Sequence, residues 1–345
     1  MSFALHIDGP RWRAWQDSVR DELGAAGGLL APVAKGNGYG LGLALLGAEA
    51  ERLGAATVAV GLPHEVAEVR AGGFVGDVLV LSPWIPGVSP DPADDPALVL
   101  TASSPEAARA LGERGVRHVV EGLTSMRRHG IEPERLAAAG DLAEGLALHL
   151  PLDLPTKSRL AEVKAWLEAA EDARLPLRRL WVSHLTAAEV GQAARLAPGA
   201  QVVSRVGTRL WLGDRGALRP TGAVLDVHRL RRGDRYGYRQ RRAARAGWLL
   251  VVAGGTAHGV ALSAPTAAAS ARQRAVAAGT GALEAAGRSL SPFHVAGKQR
   301  WFAEPPHMQC SMLLLPVDVA PPAIGDRLAV DVRMTTARFD EVLGL

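Results

Sequence analysis

Lysine is rare in this 345-residue chain, and one lysine lies where an amine could do chemistry. The four lysines, Lys35, Lys157, Lys164 and Lys298, stand against 35 arginines. Lys35 ends the apolar segment LLAPVAK (29–35), which predicts a buried strand. A desolvated lysine forms a Schiff base with a carbonyl compound, whereas a guanidinium stays protonated and is a poor nucleophile. The position therefore indicates a nucleophilic lysine, with a lysine extending its amine into solvent as an equal alternative.

The elements that would position this lysine alternate between short apolar segments and amphipathic ones. Apolar runs bounded by Gly, Pro and Ser are typical of parallel strands buried on both faces. Eight such units predict a (β/α)8 barrel, although a doubly wound sheet fits the alternation almost as well. In a barrel, Lys35 would lie at the C-terminal end of the first strand, where barrel active sites assemble. The predicted strands are 29–35, 57–61, 77–82, 97–101, 117–121, 144–150, 177–183 and 200–206, and the helices are 42–53, 64–71, 105–114, 133–139, 157–173 and 187–196.

After about residue 215 the strand-like segments follow one another without long helices. This change predicts a barrel over residues 9–215 and a mostly β second domain over residues 216–345. We expect the N-terminal strand, within residues 1–8, to join the second domain. The Ala- and Ser-rich segment 264–288 fits either a loop or a helix. The predicted strands of the second domain are 221–230, 248–253, 293–297, 310–319 and 327–334.

The composition is that of an ordinary globular protein, with 48% hydrophobic residues and a net charge of +4. We interpret the arginines as spread along the chain, which disfavours a nucleic-acid partner. The single cysteine, Cys310, excludes an internal disulfide framework and a cysteine-based zinc site, and no other metal cluster is visible. The N-terminus lacks a signal-peptide pattern, and no apolar run reaches membrane-spanning length. These features predict a cytoplasmic protein with no membrane partner.

The residues around Lys35 resemble a family signature. AKGNGYG (34–40) resembles the V-V-K-A-N-A-Y-G-H-G motif of the alanine racemases, and ATVAVGLPHEVAEVRAGG (56–73) looks like the family's second strand and following helix. In that family the lysine holds pyridoxal 5'-phosphate (PLP) covalently, and the tyrosine four residues later binds its phosphate. The resemblance implies these roles for Lys35 and Tyr39. A related family of small single-domain PLP proteins shares this N-terminal part.

A second motif concerns the substrate. SMRRHGI (125–131) resembles the family's G-M-x-R-L-G-I, which implies that Arg128 anchors the substrate carboxylate. A planar guanidinium suits this task because it holds a carboxylate through two parallel hydrogen bonds. Where the family often has a carbamylated lysine that orients this arginine, the chain has Glu121, itself an anion. The alternative for Arg128 is a solvated arginine at a helix start.

Two segments near the predicted sixth and seventh strands are similar to the family's cofactor-binding positions. LALHL (146–150) looks like the T-H-F segment, which implies that His149 lies near the PLP ring. A histidine on an apolar strand is, however, more often a core residue. VSHLT (182–186) matches the phosphate-binding N-S-A turn poorly, and Ser183 is the best donor there, with Thr186 second.

A third segment gives a stronger match. SRVGTRLWLG (204–213) resembles R-x-G-I-x-x-Y-G, which implies that Arg205 hydrogen-bonds the pyridine nitrogen of PLP. Its permanent charge would keep that nitrogen unprotonated. The backbone amides of Gly207 and Thr208 would then hold the phosphate.

The resemblance continues into the second domain. AVLDVHRLRRGDRYGY (223–238) looks like the family's first β-domain strand and turn. SMLLLPVD (311–318) has the spacing of C-M-D-Q-x-M-V-D, which implies that the backbone of Met312 approaches the substrate. The family resemblance also implies a homodimer whose two active sites are each built from both subunits.

The family's second catalytic base is missing. Racemisation needs bases on both faces of the substrate, because a proton removed on one side returns on the other. The family's G-Y-A-D-G tyrosine is Thr256 in GGTAHGV (254–260), and His258 is the candidate substitute, although a histidine here is more often a surface-loop residue without a role. The aspartate of M-D-Q is Leu313, and the C-terminal phosphate-binding tyrosine is Phe339.

The resemblance thus implies a PLP-dependent racemase-like enzyme for a small amino acid. Lys35 would be the Schiff-base lysine and the acid/base on one face. One alternative is a PLP enzyme that works on one face, such as a decarboxylase, although a carboxylate anchor at Arg128 disfavours decarboxylation. The other is a non-catalytic PLP-binding protein on the racemase scaffold.

Overall fold

The computed structural model describes residues 2–152, 158–262 and 289–345. Lys157 and the whole of segment 264–288 therefore lie outside the described residues, so the loop-or-helix question for that segment stays open. The chain divides into a unit of residues Arg13–Gly213 and a discontinuous unit of residues Met1–Trp12 and Asp214–Leu345. Strand β1 (Phe3–Ile7) belongs to the second unit, and the division falls within helix α1 (Gly9–Ala25).

The Arg13–Gly213 unit contains eight parallel strands in the order β2-β9-β8-β7-β6-β5-β4-β3. A bridge between Val33 and Ala59 brings the first and last strands of this order together, and the Ala34 N–H donates to the Ala59 oxygen at 2.8 Å. The predicted (β/α)8 barrel is confirmed, and the doubly wound alternative is excluded. The strands are β2 (Gly28–Pro32), β3 (Thr57–Val60), β4 (Asp77–Pro83), β5 (Leu98–Ala102), β6 (His118–Gly122), β7 (Gly145–Leu148), β8 (Arg179–Ser183) and β9 (Gln201–Val206).

Helices follow most of these strands, and three of them begin at polar caps. Ser104, Ser158 and Thr186 each accept a backbone N–H in the first turn of a helix. No helix joins β4 to β5, because residues 83–96 contain five prolines, which remove helical N–H donors. The predicted helix at 133–139 is a 3-10 helix, Pro133–Ala139. The remaining helices are α2 (Leu43–Arg52), α3 (Glu65–Ala71), α4 (Pro105–Glu113), α5 (Arg159–Asp172), α6 (Ala187–Leu196) and α7 (Thr208–Leu212).

The barrel interior is packed with side chains of unequal size. Trp181 on β8 is fully buried, and three of its partners in this cluster are alanines. Large and small side chains together fill the tapering interior without a channel. The interior cluster consists of Ala31, Val33, Ala59, Leu79, Val99, Val119, Ala147, Trp181 and Val203.

An ion-pair network lies at the N-terminal ends of the barrel strands. Arg117, next to β6, donates to both carboxylate oxygens of Asp77 at 2.7 and 2.8 Å, and it also pairs with Glu144. Arg179 lies 3.4 Å from Asp77 and 3.7 Å from Glu144. The network ties β4, β6, β7 and β8 together at the end of the barrel opposite their C-termini.

The second unit is an eight-stranded sheet in the order β14-β15-β16-β13-β10-β1-β18, with β17 paired to β10. β1 pairs antiparallel with β10 and parallel with β18. Phe3 and Phe293 are fully buried in its core. No helix among the described residues is long and apolar enough to cross a membrane. The strands are β10 (Leu218–Leu230), β11 (Arg235–Tyr236), β12 (Arg241–Arg242), β13 (Gly247–Ala253), β14 (Leu290–Val295), β15 (Lys298–Phe302), β16 (Cys310–Pro316), β17 (Arg327–Ala329) and β18 (Glu341–Leu343).

Candidate active site

Lys35 lies just beyond β2, at the C-terminal end of the barrel strands. Burial lowers the pKa of Lys35, and the positive charges of Arg128 and Arg205 lower this pKa further. The carboxylate of Glu65 acts in the opposite direction. A lower pKa increases the fraction of neutral amine at neutral pH, and the neutral amine is the nucleophile. The surroundings of Lys35 are therefore those that a Schiff-base lysine requires.

Glu65, the first residue of α3, fixes the backbone on either side of this lysine. Its side chain is buried and accepts the N–H of Gly36 at 2.7 Å. The second carboxylate oxygen accepts the N–H groups of Gly61 and Leu62 at 2.6 and 3.0 Å. One carboxylate therefore joins the loop after β2 to the loop after β3. The sequence interpretation did not single out Glu65, although a glutamate at the start of a helix, four residues after a strand glycine, was a usable signal.

Tyr39 is buried and has a left-handed backbone conformation, with φ 56° and ψ 29°. Burial raises the pKa of Tyr39 to about 12, with Glu65 adding to the shift, so the phenol stays protonated. Its hydroxyl lies against Gly207, where an added Cβ atom would be 2.1 Å from it. Glycine at 207 therefore leaves the space that the hydroxyl occupies. Thr208 follows as the first residue of α7.

Arg205 on β9 is buried and donates from Nη2 to the Leu148 oxygen at 2.9 Å. Its Nε has no hydrogen-bond partner among the described residues. Glu121 on β6 is 2% exposed, and its Oε2 likewise has no partner in the described part of the chain. Burial raises the pKa of Glu121, while the charges of Arg205 and Arg128 oppose that rise. The site thus holds a buried guanidinium and a buried carboxyl group with unused hydrogen-bonding atoms.

His149 follows β7 and contacts Ser183, the last residue of β8. The Ser183 hydroxyl lies 2.9 Å from His149 Nδ1 and accepts the Leu150 N–H at 3.1 Å. Burial lowers the pKa of His149 to about 3, helped by the charges of Arg205 and Arg128, so the ring is neutral near pH 7. The ring of His184 lies 5.4 Å from that of His149.

Arg128 lies in the exposed loop after β6, not at a helix start. Burial is the largest cause that lowers the pKa of Lys35 and the pKa of His149. The charges of Arg128 and Arg205 lower both pKa values further. The structure therefore brings the predicted barrel residues to one end of the barrel. Thr186, the second choice for a phosphate donor, instead caps α6, accepting the Glu189 N–H at 3.2 Å.

His258 belongs to the β-rich unit, where both of its ring nitrogens are engaged. Nδ1 accepts the Gly255 N–H at 3.2 Å, and Nε2 lies 3.1 Å from the Asp340 carboxylate. The ring is buried and lies 5.2 Å from that of Phe3. The interpretation as a surface-loop histidine was wrong, because this ring joins the 3-10 turn Thr256–His258 to the segment before β18.

The other residues of interest in this unit have backbone or core contacts. The Met312 oxygen accepts the Ala303 N–H at 2.8 Å, while Thr256 is exposed. Leu313 is fully buried, and the Phe339 ring stacks on Phe3 at 5.1 Å. Among the described residues no group of three or more His, Cys, Asp or Glu side chains could hold a metal ion.

A family model of the alanine racemase N-terminal domain matches residues 7–194, more than half of the chain. The chain belongs to the alanine racemase family. This family's barrel is the fold that the strand order describes, and the match spans every strand of it except β9. The match covers Lys35, Tyr39, Arg128 and Ser183, whereas Arg205 lies beyond its end.

Solved structures of racemases share the fold over nearly the whole chain. The alanine racemase of E. faecalis is 21% identical, with 95% of this chain and 88% of that chain covered at a TM-score of 0.64. The Bartonella henselae alanine racemase with covalently bound pyridoxal phosphate is 15% identical, with 96% and 90% covered at 0.68. A histidine racemase from Leuconostoc mesenteroides subsp. sake is 16% identical, with 99% and 98% covered at 0.64. No curated protein matches the chain in sequence.

Proposed function

We propose that this member of the alanine racemase family is a PLP-dependent amino-acid racemase-like enzyme of the isomerase class. The observation that carries the proposal is Lys35, an amine at the C-terminal end of the barrel whose pKa is lowered by burial and by the charges of Arg128 and Arg205. A nucleophilic amine beside fixed positive charges suits a carbonyl cofactor that bears a phosphate and a substrate that bears a carboxylate.

The residues around Lys35 fit PLP. The Nε of Arg205 is buried and has no partner among the described residues, so it is available to a ring nitrogen. The Tyr39 hydroxyl beside Gly207 offers a donor next to a backbone without a side chain. PLP supplies an electron sink that acidifies the proton on the α-carbon of a bound amino acid.

The chain's own residues then have distinct tasks. Lys35 binds the cofactor covalently and moves a proton at Nζ on one face. Tyr39, Ser183 and the amides of Gly207 and Thr208 hold the phosphate. The Ser183 hydroxyl contacts His149, so a neutral histidine would lie next to the residues that hold the phosphate.

Two further residues complete the proposed site. Arg128 holds the substrate carboxylate, because an exposed planar guanidinium can bind a carboxylate through two parallel hydrogen bonds. The permanent positive charge of Arg205 keeps the pyridine nitrogen unprotonated. In a homodimer with composite sites, Met312 of the β-rich unit would meet the substrate through its backbone. We place such a dimer in the cytoplasm.

The base on the second face separates the racemase from its alternatives. Thr256 has too high a pKa to serve alone, and both ring nitrogens of His258 are engaged. A PLP enzyme working on one face, or a PLP-binding protein without catalysis, would need neither residue.

An absorbance titration followed by isotope exchange tests the proposal. Purified protein with added PLP is compared with Lys35→Ala, and then incubated with L- or D-alanine, and likewise with L- or D-serine, in deuterated water. The racemase predicts a visible band that depends on Lys35, and deuterium in both enantiomers from either start. Exchange without inversion would instead support the one-faced enzyme. A band without exchange would support the binding protein, and no Lys35-dependent band would refute PLP chemistry.

A further inference from the structure

The arginines of the chain are not evenly spread. Eight of them, with a single aspartate, lie within residues 229–245, so this segment carries a charge of +7. The whole chain carries only +4, and the remainder is therefore net negative at −3. The earlier interpretation of scattered arginines was wrong, because it considered the total and not the local density. We call residues 229–245 the arginine hairpin.

The arginine hairpin contains a separate two-stranded ribbon, β11-β12, in the β-rich unit. It leaves the end of β10, and β11 pairs antiparallel with β12 through Arg235–Arg242 and Tyr236–Arg241. The turn between them is fixed at its base, because the Tyr238 N–H donates to the buried Glu304 carboxylate at 2.9 Å. All of the arginines are exposed, namely Arg229, Arg231, Arg232, Arg235, Arg239, Arg241, Arg242 and Arg245.

Five of the eight hairpin arginines have no ion-pair partner in the described part of the chain. Carboxylates pair with arginines elsewhere, as Asp77 does with Arg117 and Glu49 with Arg52, whereas the only acidic residue of the hairpin, Asp234, accepts the backbone N–H of Arg231. Five hairpin arginines make no side-chain hydrogen bond or ion pair to any described residue, so removing them breaks no recorded contact. These five are Arg231, Arg232, Arg239, Arg242 and Arg245.

We propose that the arginine hairpin binds single-stranded nucleic acid. A dense cluster of exposed guanidinium groups can pair with the phosphates of a polynucleotide, and binding releases the counterions that condense on it. The Tyr238 ring lies 4.7 Å from the His307 ring, but Tyr238 is still 84% exposed, so its ring offers a surface on which a base can stack. An anionic membrane fits less well, because membrane-surface segments add apolar side chains that insert between lipids. The hairpin exposes no large aliphatic side chain of this kind, since Leu230 is buried.

The test measures binding of the full chain to a fluorescein-labelled oligothymidine of about 20 nucleotides by anisotropy, at several salt concentrations. The test variant carries glutamine at the five unpaired hairpin positions. The matched control carries glutamine at five exposed arginines outside the hairpin, so the two variants have the same net charge. The control positions are Arg109, Arg174, Arg178, Arg195 and Arg219.

The hairpin variant is expected to bind at least about 100-fold more weakly near 0.1 M salt, and its slope of log affinity against log salt is expected to fall by about 3. The control variant is expected to stay within about threefold of wild type, and Tyr238→Ala to weaken binding about tenfold. Equal weakening in both five-site variants would overturn the proposal, since net charge alone would then explain binding. So would absence of binding by wild type, tighter binding to a duplex of equal length, or binding only to vesicles of phosphatidylglycerol. Because the readout does not involve PLP, its failure leaves the proposed enzyme untouched.

Discussion

The Tyr39 hydroxyl fills the space that a side chain at Gly207 would need, 2.1 Å from the position of a Cβ atom there. We expect Gly207→Ala to displace the hydroxyl, lower the melting temperature and raise the Kd for PLP at least about tenfold. Tyr39→Phe combined with Gly207→Ala removes the 2.1 Å contact and leaves the ring carbon Cζ at 3.0 Å, so it should recover part of the melting temperature, although not the affinity. Gly191→Ala in α6 is the control, because its Cβ would meet only ordinary contacts at 3.4 Å or more. Unchanged PLP binding by Gly207→Ala would contradict the assigned role of this contact.

Glu65 accepts three backbone N–H groups, and its removal should loosen both loops. Glu65→Gln keeps one acceptor oxygen and places an amide against N–H donors, so we expect a loss of about 1–3 kcal/mol in the free energy of unfolding. The loss of its charge should also lower the pKa of Lys35 further, because Glu65 opposes the effects of burial and of the two arginines. Urea denaturation and the pH dependence of the Lys35-dependent band measure the two effects. Glu68→Gln, on the exposed face of the same helix, should change neither.

The neutral state of His149 links stability to pH. Its pKa falls to about 3 in the folded chain, mainly through burial, whereas an unfolded histidine titrates near 6.5. The stabilisation is therefore complete above about pH 6.5 and is lost as the pH falls towards 3, because only the unfolded state takes up the proton. Between pH 7 and 4 we expect the melting temperature of wild type to fall by roughly 3 °C more than that of His149→Gln. The exposed His228→Gln should follow wild type, and parallel curves for all three proteins would refute the linkage.

Arg117 is expected to stabilise the barrel from its N-terminal end. Arg117→Gln leaves Asp77 and Glu144 without their main partner, and we expect a loss of about 1–3 kcal/mol at pH 7. The hydrogen bond from Arg117 is the main cause that lowers the pKa of Asp77, so this stabilisation holds above pH 4 and is lost as the pH falls below it. The difference in the free energy of unfolding between variant and wild type should therefore be smaller below pH 4 than at pH 7. Denaturation measured at pH 7 and below pH 4 checks this. Arg114→Gln, which removes an exposed pair with Asp91, should cost under about 0.5 kcal/mol.

His258 is expected to act on stability. His258→Ala and Asp340→Asn should each lower the melting temperature, and the double variant should lose less than the sum, because the two side chains share one contact of 3.1 Å. The rate of deuterium exchange at the α-carbon of alanine, expressed per molecule of folded protein, should be the same in these variants as in wild type. A variant His258→Ala that melts like wild type yet loses exchange on one face would instead make this histidine the second base.

The barrel was predictable because its strands are short apolar runs with clear boundaries, and the residues of the candidate site follow those strands. Glu65 was missed because its partners are backbone N–H groups, which leave no mark in a sequence motif. The burial of His258 was missed for a related reason, since its partner Asp340 lies 82 residues away in sequence. The segment between β4 and β5 lacks a helix, and the predicted helices also leave this segment out. Its prolines account for this, because they remove helical N–H donors.

Because β1 pairs with β18, the strand partners of the two units become available at different stages of synthesis. Residues 13–213 hold every strand of the barrel, so all of the barrel's strand partners have been synthesised before residues 214–345. The β1 strand, synthesised near the beginning, contacts residues 218–222 on one edge and residues 341–343 on the other. Both edges of β1 therefore stay unpaired until residues 218–222 have been synthesised. The edge that pairs with β18 stays unpaired until residues 341–343 follow. The β-rich unit closes after synthesis, with its earliest and latest strands joining side by side.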